Sequence, residues 1–177
     1  MRLPALAAAF VVGVILAPKL GASPAALDEA VAAFNEDPSV HGYIIQHPVP
    51  AGFDFNATLF AMDPGKDADG LHPTNLGKLV LQEEGPVPCT PAGIQAMFVH
   101  YGIEVSGKHI VVIGRGPTLG RPLSLLLTTK APGANAAVTV VHSAVPDLAE
   151  HTRRADIIVA AVGIPVSTTI CWSLTAC

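Results

Sequence analysis

The sequence predicts an α/β fold with a doubly wound parallel sheet, and three observations predict it. Short β-branched segments at residues 110–113, 136–143 and 156–163 alternate with helical segments. Glycines in the pattern G-x-G-x-x-x-G, from Gly114 to Gly120, separate the first of these strands from a helix. Half of the 177 residues are hydrophobic, which is enough to bury a core.

Charge and cysteine content exclude several classes of protein. The net charge of −4 provides no basic surface for nucleic acid. The cysteines, Cys89, Cys171 and Cys177, are odd in number and lack the spacing of a metal site, so free thiols in a reducing compartment are expected. We therefore expect no nucleic-acid partner, no metal and no membrane span.

Residues 1–22 have two interpretations. Arg2, an apolar run to Ala17 and small residues near Ala22 are typical of an export signal. Alternatively, residues 11–16 form a buried strand of a larger sheet, which the cytosolic character of the following chain favours.

The next segments predict a helix, a strand and a stiff loop. Ser23 is a suitable N-cap with Pro24 at the first helical position, and the helix ends before Pro38. Residues 42–46 predict a strand that leads directly into the proline-rich loop 47–50. Loops that follow α/β strands are common ligand sites.

Residues 63–75 are the most polar stretch of the chain. A calcium loop is excluded, because Gly70 comes too early and no carboxylate stands at the twelfth position from Asp67. A solvated connection is the plain interpretation of this composition.

A further helix is predicted after residue 88. Thr90 is the expected N-cap, Pro91 the first helical residue and Gly102 the C-terminal stop. Apolar residues at helical spacing predict its buried face: Ile94, Met97, Phe98 and Tyr101.

The glycine run favours a phosphate group. Glycines allow close backbone approach, and the helix that Pro122 opens would point its positive end at the anion. The spacing is one residue longer than the usual dinucleotide fingerprint, so an ordinary strand-to-helix turn stays open. The second strand ends in His142 and Ser143 without a carboxylate. Arg115 lies in the glycine loop and Ser143 supplies a hydroxyl, and donors without an acid suit a 2′-phosphate and favour NADP over NAD; a plain surface arginine is the alternative.

Six segments carry motifs of one known family: DPSVHGYIIQHPVP (37–50), KDADGLHPTNLGKLVL (66–81), PCTPAGI (88–94), HIVVIGRGPTLGRPLSLLL (109–127), VTVVHS (138–143) and DLAEHTRRADIIVAAVG (147–163). They resemble the bifunctional methylenetetrahydrofolate dehydrogenase/methenyltetrahydrofolate cyclohydrolase of bacterial one-carbon metabolism. The resemblance runs from about residue 24 to 165, in the family's order.

The resemblance implies two incomplete domains. Residues 1–90 would be a partial α/β folate-binding domain, and residues 91–177 a partial Rossmann-like NADP domain. The implied enzyme oxidises methylenetetrahydrofolate with NADP and hydrolyses the methenyl product to formyltetrahydrofolate. It would be a cytoplasmic homodimer that binds folate in a cleft between its domains.

The resemblance also assigns a folate site. Gln46 matches the family's folate-site glutamine and is flanked by Ile45 and His47. Asp69 matches the aspartate that binds the pterin ring, where a carboxylate can accept two N–H bonds. Gln46 and Asp69 are the implied catalytic residues.

The cofactor residues follow from the same resemblance. Gly114, Arg115 and Gly116 match the NADP loop, and Ser143 lies beside the adenosine phosphate. Gly116 stands where the family often has serine, so one phosphate contact would be lost or made by the backbone.

The chain also departs from the family's pattern. The family has a Tyr-x-x-x-Lys helix whose lysine activates water, and this chain shows no match to it. Neither Tyr43 nor Tyr101 has a lysine four residues later, and Lys19 lies in an unmatched stretch. The family's late proline- and glycine-rich segment is not matched, and residues 168–177 match nothing in the family.

We therefore expect the chain to be the middle part of such an enzyme. A remnant that binds NADP or a partner subunit without turnover, and an exported apolar protein, are the alternatives.

Overall fold

The computed structural model describes residues 12–15 and 23–162, and the chain divides into two compact units between Asn75 and Leu76. Unit 1 precedes this division and unit 2 follows it. The domain boundary near residue 90 stays a prediction. Residues 168–177, the tail expected to match nothing in the family, lie outside the described residues.

Unit 1 combines a parallel strand pair with two helices. Strand β1 (Val12–Ile15) pairs in parallel with β2 (Gly42–Ile45), and helices α1 (Pro24–Glu36) and α2 (Phe55–Ala61) complete the unit. The strand interpretation of residues 11–16 is thus confirmed for Val12–Ile15. The rest of residues 1–22, and with it the export-signal interpretation, lies outside the described residues.

Side-chain caps begin both helices of unit 1. Ser23 Oγ accepts a hydrogen bond from the amide of Ala26 at 3.2 Å, which confirms the predicted N-cap of α1. Asp54 caps α2 in the same way, accepting from Ala57 N at 3.0 Å. Helix α2 was not predicted, although Asp54 is a suitable N-cap residue and indicates the start of a helix.

The core of unit 1 lies between α1, α2 and β2, and Tyr43 is buried at its centre. The Tyr43 hydroxyl donates to Asn35 Oδ1 at 2.7 Å, and Asn35 Oδ1 also accepts from the amide of Asp63 at 2.8 Å. The other buried core residues are Leu27, Val31, Val40, Ile45, Leu59, Met62 and Leu71.

Tyr43 makes unit 1 sensitive to alkaline pH. Burial, helped by the charges of Asp63 and Asp67, raises the pKa of Tyr43 from 10.0 to about 12. A raised pKa means that folding favours the neutral phenol. The stability that Tyr43 contributes is therefore complete below pH 10 and is lost as the pH rises towards 12.

Absorbance titration of phenolate formation measures this shift. The chain has two tyrosines, so Tyr101→Phe leaves Tyr43 as the only one. We expect its transition near pH 12. Tyr43→Phe is the control that removes this transition, and a midpoint near 10 in Tyr101→Phe would contradict the burial of the hydroxyl.

Unit 2 contains a parallel three-stranded sheet in the order β4-β3-β5. Helix α3 (Pro73–Leu81) crosses the division between the units. The elements that follow are α4 (Cys89–His100), β3 (His109–Ile113), α5 (Gly120–Leu127), β4 (Ala137–Val141), α6 (Leu148–Arg153) and β5 (Ile157–Ala160). Within the described ranges, no helix is long and apolar enough to cross a membrane.

Helices cover both faces of this sheet, which confirms the doubly wound α/β prediction. Ile110 and Val112 of β3 pack in one cluster with residues of α4 and α5. Val111 and Ile113 point to the other face, where they pack with Leu148 of α6. Alternation along a strand sends successive side chains to opposite faces, so one apolar strand forms two cores.

Burial differs among the three described strands of this sheet, and it is nearly complete only in β3. In β4 only Val141 is buried, and the side chains of β5 are half-buried or exposed. The strands differ in burial because β4 and β5 are the outer strands of the described sheet, whereas β3 lies between them.

Helix α4 begins earlier than its sequence predicts. Its first residue is Cys89 and its N-cap position is Pro88, without a side-chain cap, so the prediction of Thr90 as N-cap is wrong. The predicted stop is confirmed, since Gly102 has a φ of +64° and Ile103 N bonds to Phe98 O at 2.9 Å.

The predicted buried face of α4 is partly wrong. Phe98 is buried, but Met97 is 51% exposed and Tyr101 is 71% exposed. The face that packs on the sheet includes Ile94 and Phe98. Spacing alone allowed two neighbouring apolar stripes, and the sheet covers one of them.

Candidate functional site

The predicted cofactor residues of unit 2 lie where parallel strands end. Strand β3 is followed by residues 114–119, here called the glycine loop, and β4 is followed by His142 and Ser143. Ligands in α/β sheets bind at the carboxyl ends of the strands. The four predicted residues of this site therefore share one edge of the sheet.

Close backbone packing requires two of the glycines. Gly114 has a φ of +121°, and a Cβ there would overlap the carbonyl oxygen of Ala161. A Cβ at Gly120 would overlap the carbonyl oxygen of Gly114. Because these two residues lack a Cβ, the glycine loop can pass close to Ala161, just after β5, and to the start of α5.

The other side of the glycine loop is open. A Cβ at Gly116 would meet no atom within 4 Å, so a serine would also fit there. Helix α5 begins after Leu119 with no side-chain cap and no acidic residue in its first turn. The positive end of this helix and the exposed Arg115 therefore favour an anion at the loop.

Arg115 contacts His142, which was not among the predicted cofactor residues. Its Nη1 lies 3.2 Å from Nε2 of His142, the first residue after β4. The other ring nitrogen, Nδ1, is 3.3 Å from the amide of Ala144. Ser143 is exposed beside this pair. In the sequence, the only indication that His142 lies at the cofactor site was the neighbouring Ser143.

The predicted folate residues of unit 1 follow β2. Ile45 is buried in the core of unit 1, whereas Gln46 and His47 are exposed. Gln46 Nε2 donates to His47 O at 2.8 Å, and the His47 ring packs edge-on against Phe55 with centroids 4.8 Å apart. Both polar side chains are therefore held at the end of the strand.

A parallel bridge attaches the polar stretch 63–75 to β2. Tyr43 N donates to Lys66 O at 2.9 Å, and Ala68 N donates to Tyr43 O at 3.2 Å. Asp69 is half-buried and follows this isolated bridge by two residues, within a bend. Because the bridge is parallel, the chain leaves Asp67 towards Asp69 in the same direction in which β2 leads to Gln46.

Asp67 organises the loop that carries Asp69. Its carboxylate is 2% exposed and accepts hydrogen bonds from Gly70 N at 2.9 Å, His72 N at 2.7 Å and Asn75 Nδ2 at 2.9 Å. The interpretation of this stretch as a solvated connection is therefore wrong for its central residues. Polar composition did not reveal a buried carboxylate whose partners are mostly backbone amides.

Asn75 completes the loop and leaves one acceptor unused. Its Nδ2 donates to Pro64 O and to Asp67 Oδ2, both at 2.9 Å. Its Oδ1 is buried and has no hydrogen-bond partner, alone in this respect among the described side chains. Because both Nδ2 contacts are to acceptors, the amide orientation is determined.

Lys66 stabilises the end of α1. Its Nζ donates at 2.8 Å to each of three backbone carbonyls, those of Phe34, Asn35 and Asp37. These three bonds use every N–H of the ammonium group. Lys66 is thus a C-terminal cap and has no proton free for a substrate.

Two family models match the chain. Residues 14–69 match "Tetrahydrofolate dehydrogenase/cyclohydrolase, catalytic domain", and residues 88–170 match "Tetrahydrofolate dehydrogenase/cyclohydrolase, NAD(P)-binding domain".

Curated relatives agree with these matches. "Bifunctional protein FolD" of Syntrophotalea carbinolica is 70% identical over 136 residues, which are 77% of this chain and 47% of that protein. "Bifunctional protein FolD 1" of Salinispora tropica is 55% identical over 144 residues, 81% of this chain and 47% of that protein. The chain thus spans about half the length of these relatives.

Solved structures share the fold. The bifunctional FolD enzyme of Campylobacter jejuni matches with a TM-score of 0.75 at 37% identity, over 81% of this chain and 50% of that one. The Trypanosoma brucei enzyme, solved in complex with NADP cofactor and an inhibitor, matches with a TM-score of 0.74 at 40% identity, over 82% of this chain and 49% of that one.

Proposed function

The chain belongs to the tetrahydrofolate dehydrogenase/cyclohydrolase family, and on this premise we propose that it acts in NADP-dependent oxidation of methylenetetrahydrofolate. Hydrolysis of the methenyl product to formyltetrahydrofolate is the second proposed reaction. The observation that carries this proposal is the bridge between β2 and Asp67, because it attaches the loop that carries Asp69 to the strand that leads to Gln46.

In the proposed folate site, Asp69 accepts N–H bonds from the pterin ring. A carboxylate offers two oxygens for this, and bonds to a charged acceptor are the stronger ones. Gln46 uses one N–H of its amide on His47 O, so Oε1 and the second N–H are the groups that this amide offers to a substrate. Ile45 and His47 flank Gln46 and would shape the site.

In the proposed cofactor site, Gly114, Arg115, Gly116 and Ser143 hold NADP. When bound, NADP accepts a hydride from the folate. The open space at Gly116 and the acid-free start of α5 support the fit of a phosphate group. The residues of the loop bind and orient the dinucleotide, with backbone amides in place of the serine hydroxyl common in the family.

A second candidate function is NADP binding without turnover. One observation favours it, because Lys66 donates all three N–H groups of its ammonium to backbone carbonyls at the end of α1 and keeps none for a substrate. Losing a general acid/base typically lowers a rate about 10²–10⁴-fold.

Mixing the protein with NADP and methylenetetrahydrofolate distinguishes the two functions. We expect NADPH absorbance to grow, and we expect Asp69→Asn to lower kcat/KM at least about tenfold, as loss of a charged hydrogen-bond acceptor predicts. Asp28→Asn changes an exposed residue of α1 and is the matched control. NADP binding without NADPH formation would support the second candidate instead.

We also propose that the protein is a cytoplasmic homodimer. The exposed apolar side chains of Met97 in α4 and of its C-cap Tyr101 support an interface. Residues four apart lie on one face of a helix, and neighbouring apolar side chains on a surface are common at contacts between subunits.

A further inference from the structure

Asp69 lies between two hydrogen bonds that fix the backbone on either side of it. On one side, Ala68 N donates to Tyr43 O of β2 at 3.2 Å. On the other side, Gly70 N donates to Asp67 Oδ1 at 2.9 Å, so the side chain of Asp67 closes a turn. The direction in which Asp69 points therefore depends on where the Asp67 carboxylate is held.

Asn75 holds that carboxylate from the first turn of α3. Its Nδ2 donates at 2.9 Å to Asp67 Oδ2 and at 2.9 Å to Pro64 O, so one amide group ties two points of the loop together. Both side chains of the Asn75–Asp67 pair are buried, and a hydrogen bond to a carboxylate is among the stronger ones. Asn75 consequently links α3 to the turn that carries Asp69.

The amide of Asn75 is not arranged for stability alone. Its Oδ1 is buried and accepts no hydrogen bond from the described residues, and an unsatisfied buried acceptor lowers stability. The loop therefore uses only the two N–H groups of this amide. Among the described residues, no ion pair neutralises the Asp67 carboxylate, so N–H donors alone compensate its burial. Proteins keep such costly arrangements mainly where the geometry serves a function.

We propose that Asn75 is a positioning residue that acts through Asp67 on the folate-binding carboxylate of Asp69. This inference rests on the proposed folate site. One carboxylate accepts two N–H bonds from a pterin ring only when both of its oxygens are aimed at the donors. A turn that moves freely would lose part of this alignment. Because Asn75 is buried, it acts by restricting the turn and not by contact with the substrate.

Equilibrium titration of the full chain with tetrahydrofolate and, separately, with NADP tests this role without any turnover. We expect Asn75→Ala to weaken tetrahydrofolate binding about tenfold, the effect of losing one hydrogen bond to a charged group, and to leave NADP binding unchanged. Asn56→Ala changes an exposed asparagine of α2 and is the matched control for both ligands. Equal weakening of both ligands by Asn75→Ala would indicate a general loss of folded protein and would overturn the inference.

A double-mutant cycle with Asp69→Asn measures whether Asn75 acts through Asp69. Once the carboxylate that Asn75 positions is gone, Asn75→Ala should change tetrahydrofolate affinity by less than about twofold. The same tenfold weakening in both backgrounds would overturn the inference, because a substitution that only unfolds the site acts whether or not Asp69 is present. Asp67→Asn keeps the shape of its side chain and should show the same coupling to Asp69, so the test remains decisive if Asn75→Ala does not fold.

The remaining outcomes separate this inference from the proposed function. Tetrahydrofolate binding that Asp69→Asn weakens, but that neither Asn75→Ala nor Asp67→Asn weakens, would overturn the positioning role and leave the folate site intact. A wild type that binds no tetrahydrofolate, or an Asp69→Asn variant that binds it as tightly as the wild type, would overturn both.

Discussion

Gly114→Ala is expected to lower the free energy of unfolding by about 3 kcal/mol or more, the largest effect we predict for unit 2. Gly114 has a φ of +121°, which side-chain-bearing residues rarely adopt, and an added Cβ would overlap the carbonyl oxygen of Ala161. That oxygen is backbone and cannot rotate away. The strain can be relieved only by moving β5 away from β3, whose pairing includes the bond from Ala161 N to Ile113 O at 2.7 Å.

Denaturant unfolding followed by circular dichroism measures the loss, and amide hydrogen exchange at Ala161 locates it. Gly116→Ala is the matched control in the same loop, because its Cβ would meet no atom within 4 Å. We expect this control to stay within about 0.5 kcal/mol of the wild type, or to gain slightly through the unfolded state. Equal effects of the two substitutions would contradict the described path of the loop.

Asp67→Ala is expected to cost about 3 kcal/mol or more in unit 1. The substitution leaves three buried donors without a partner, the amides of Gly70 and His72 and Nδ2 of Asn75. Each unsatisfied buried donor costs about 1–3 kcal/mol. The loop should loosen as a whole, so the position of Asp69 should be lost with it.

Thermal and denaturant unfolding measure this effect, with two comparison variants. Asp67→Asn keeps the shape but turns one acceptor oxygen into a donor, so an intermediate loss is expected. Asp28→Ala removes an exposed carboxylate of α1 and should change stability by no more than about 0.5 kcal/mol. A loss for Asp67→Ala no larger than that of Asp28→Ala would rule out the hydrogen-bond network around Asp67.

Local signals allowed several elements to be predicted. Ser23 begins α1 as its hydroxyl and the following proline indicate, and Gly102 ends α4 with the expected positive φ. The β-branched run in β3 is the buried central strand. These features depend on the few residues around them, so their physics is contained in a short stretch of sequence.

Burial was harder to predict than secondary structure. Met97 and Phe98 are both apolar and adjacent, yet Phe98 is buried and Met97 is exposed, because the sheet covers only one side of α4. The polar Asp67 is buried, since backbone amides rather than charged side chains satisfy it. Which side of a helix or loop is covered depends on elements that are distant in the chain.

The sequence by itself determined the alternation of strands and helices, the glycine loop after β3 and the family motifs around Gln46, Asp69 and Arg115. Those features are local, because propensity, caps and glycine conformations act within a few residues. Tertiary structure alone decided that Arg115 contacts His142 and that the bridge at Asp67 attaches the loop of Asp69 to β2. Strand register sets both contacts, and register is a property of paired segments that no single stretch of chain contains.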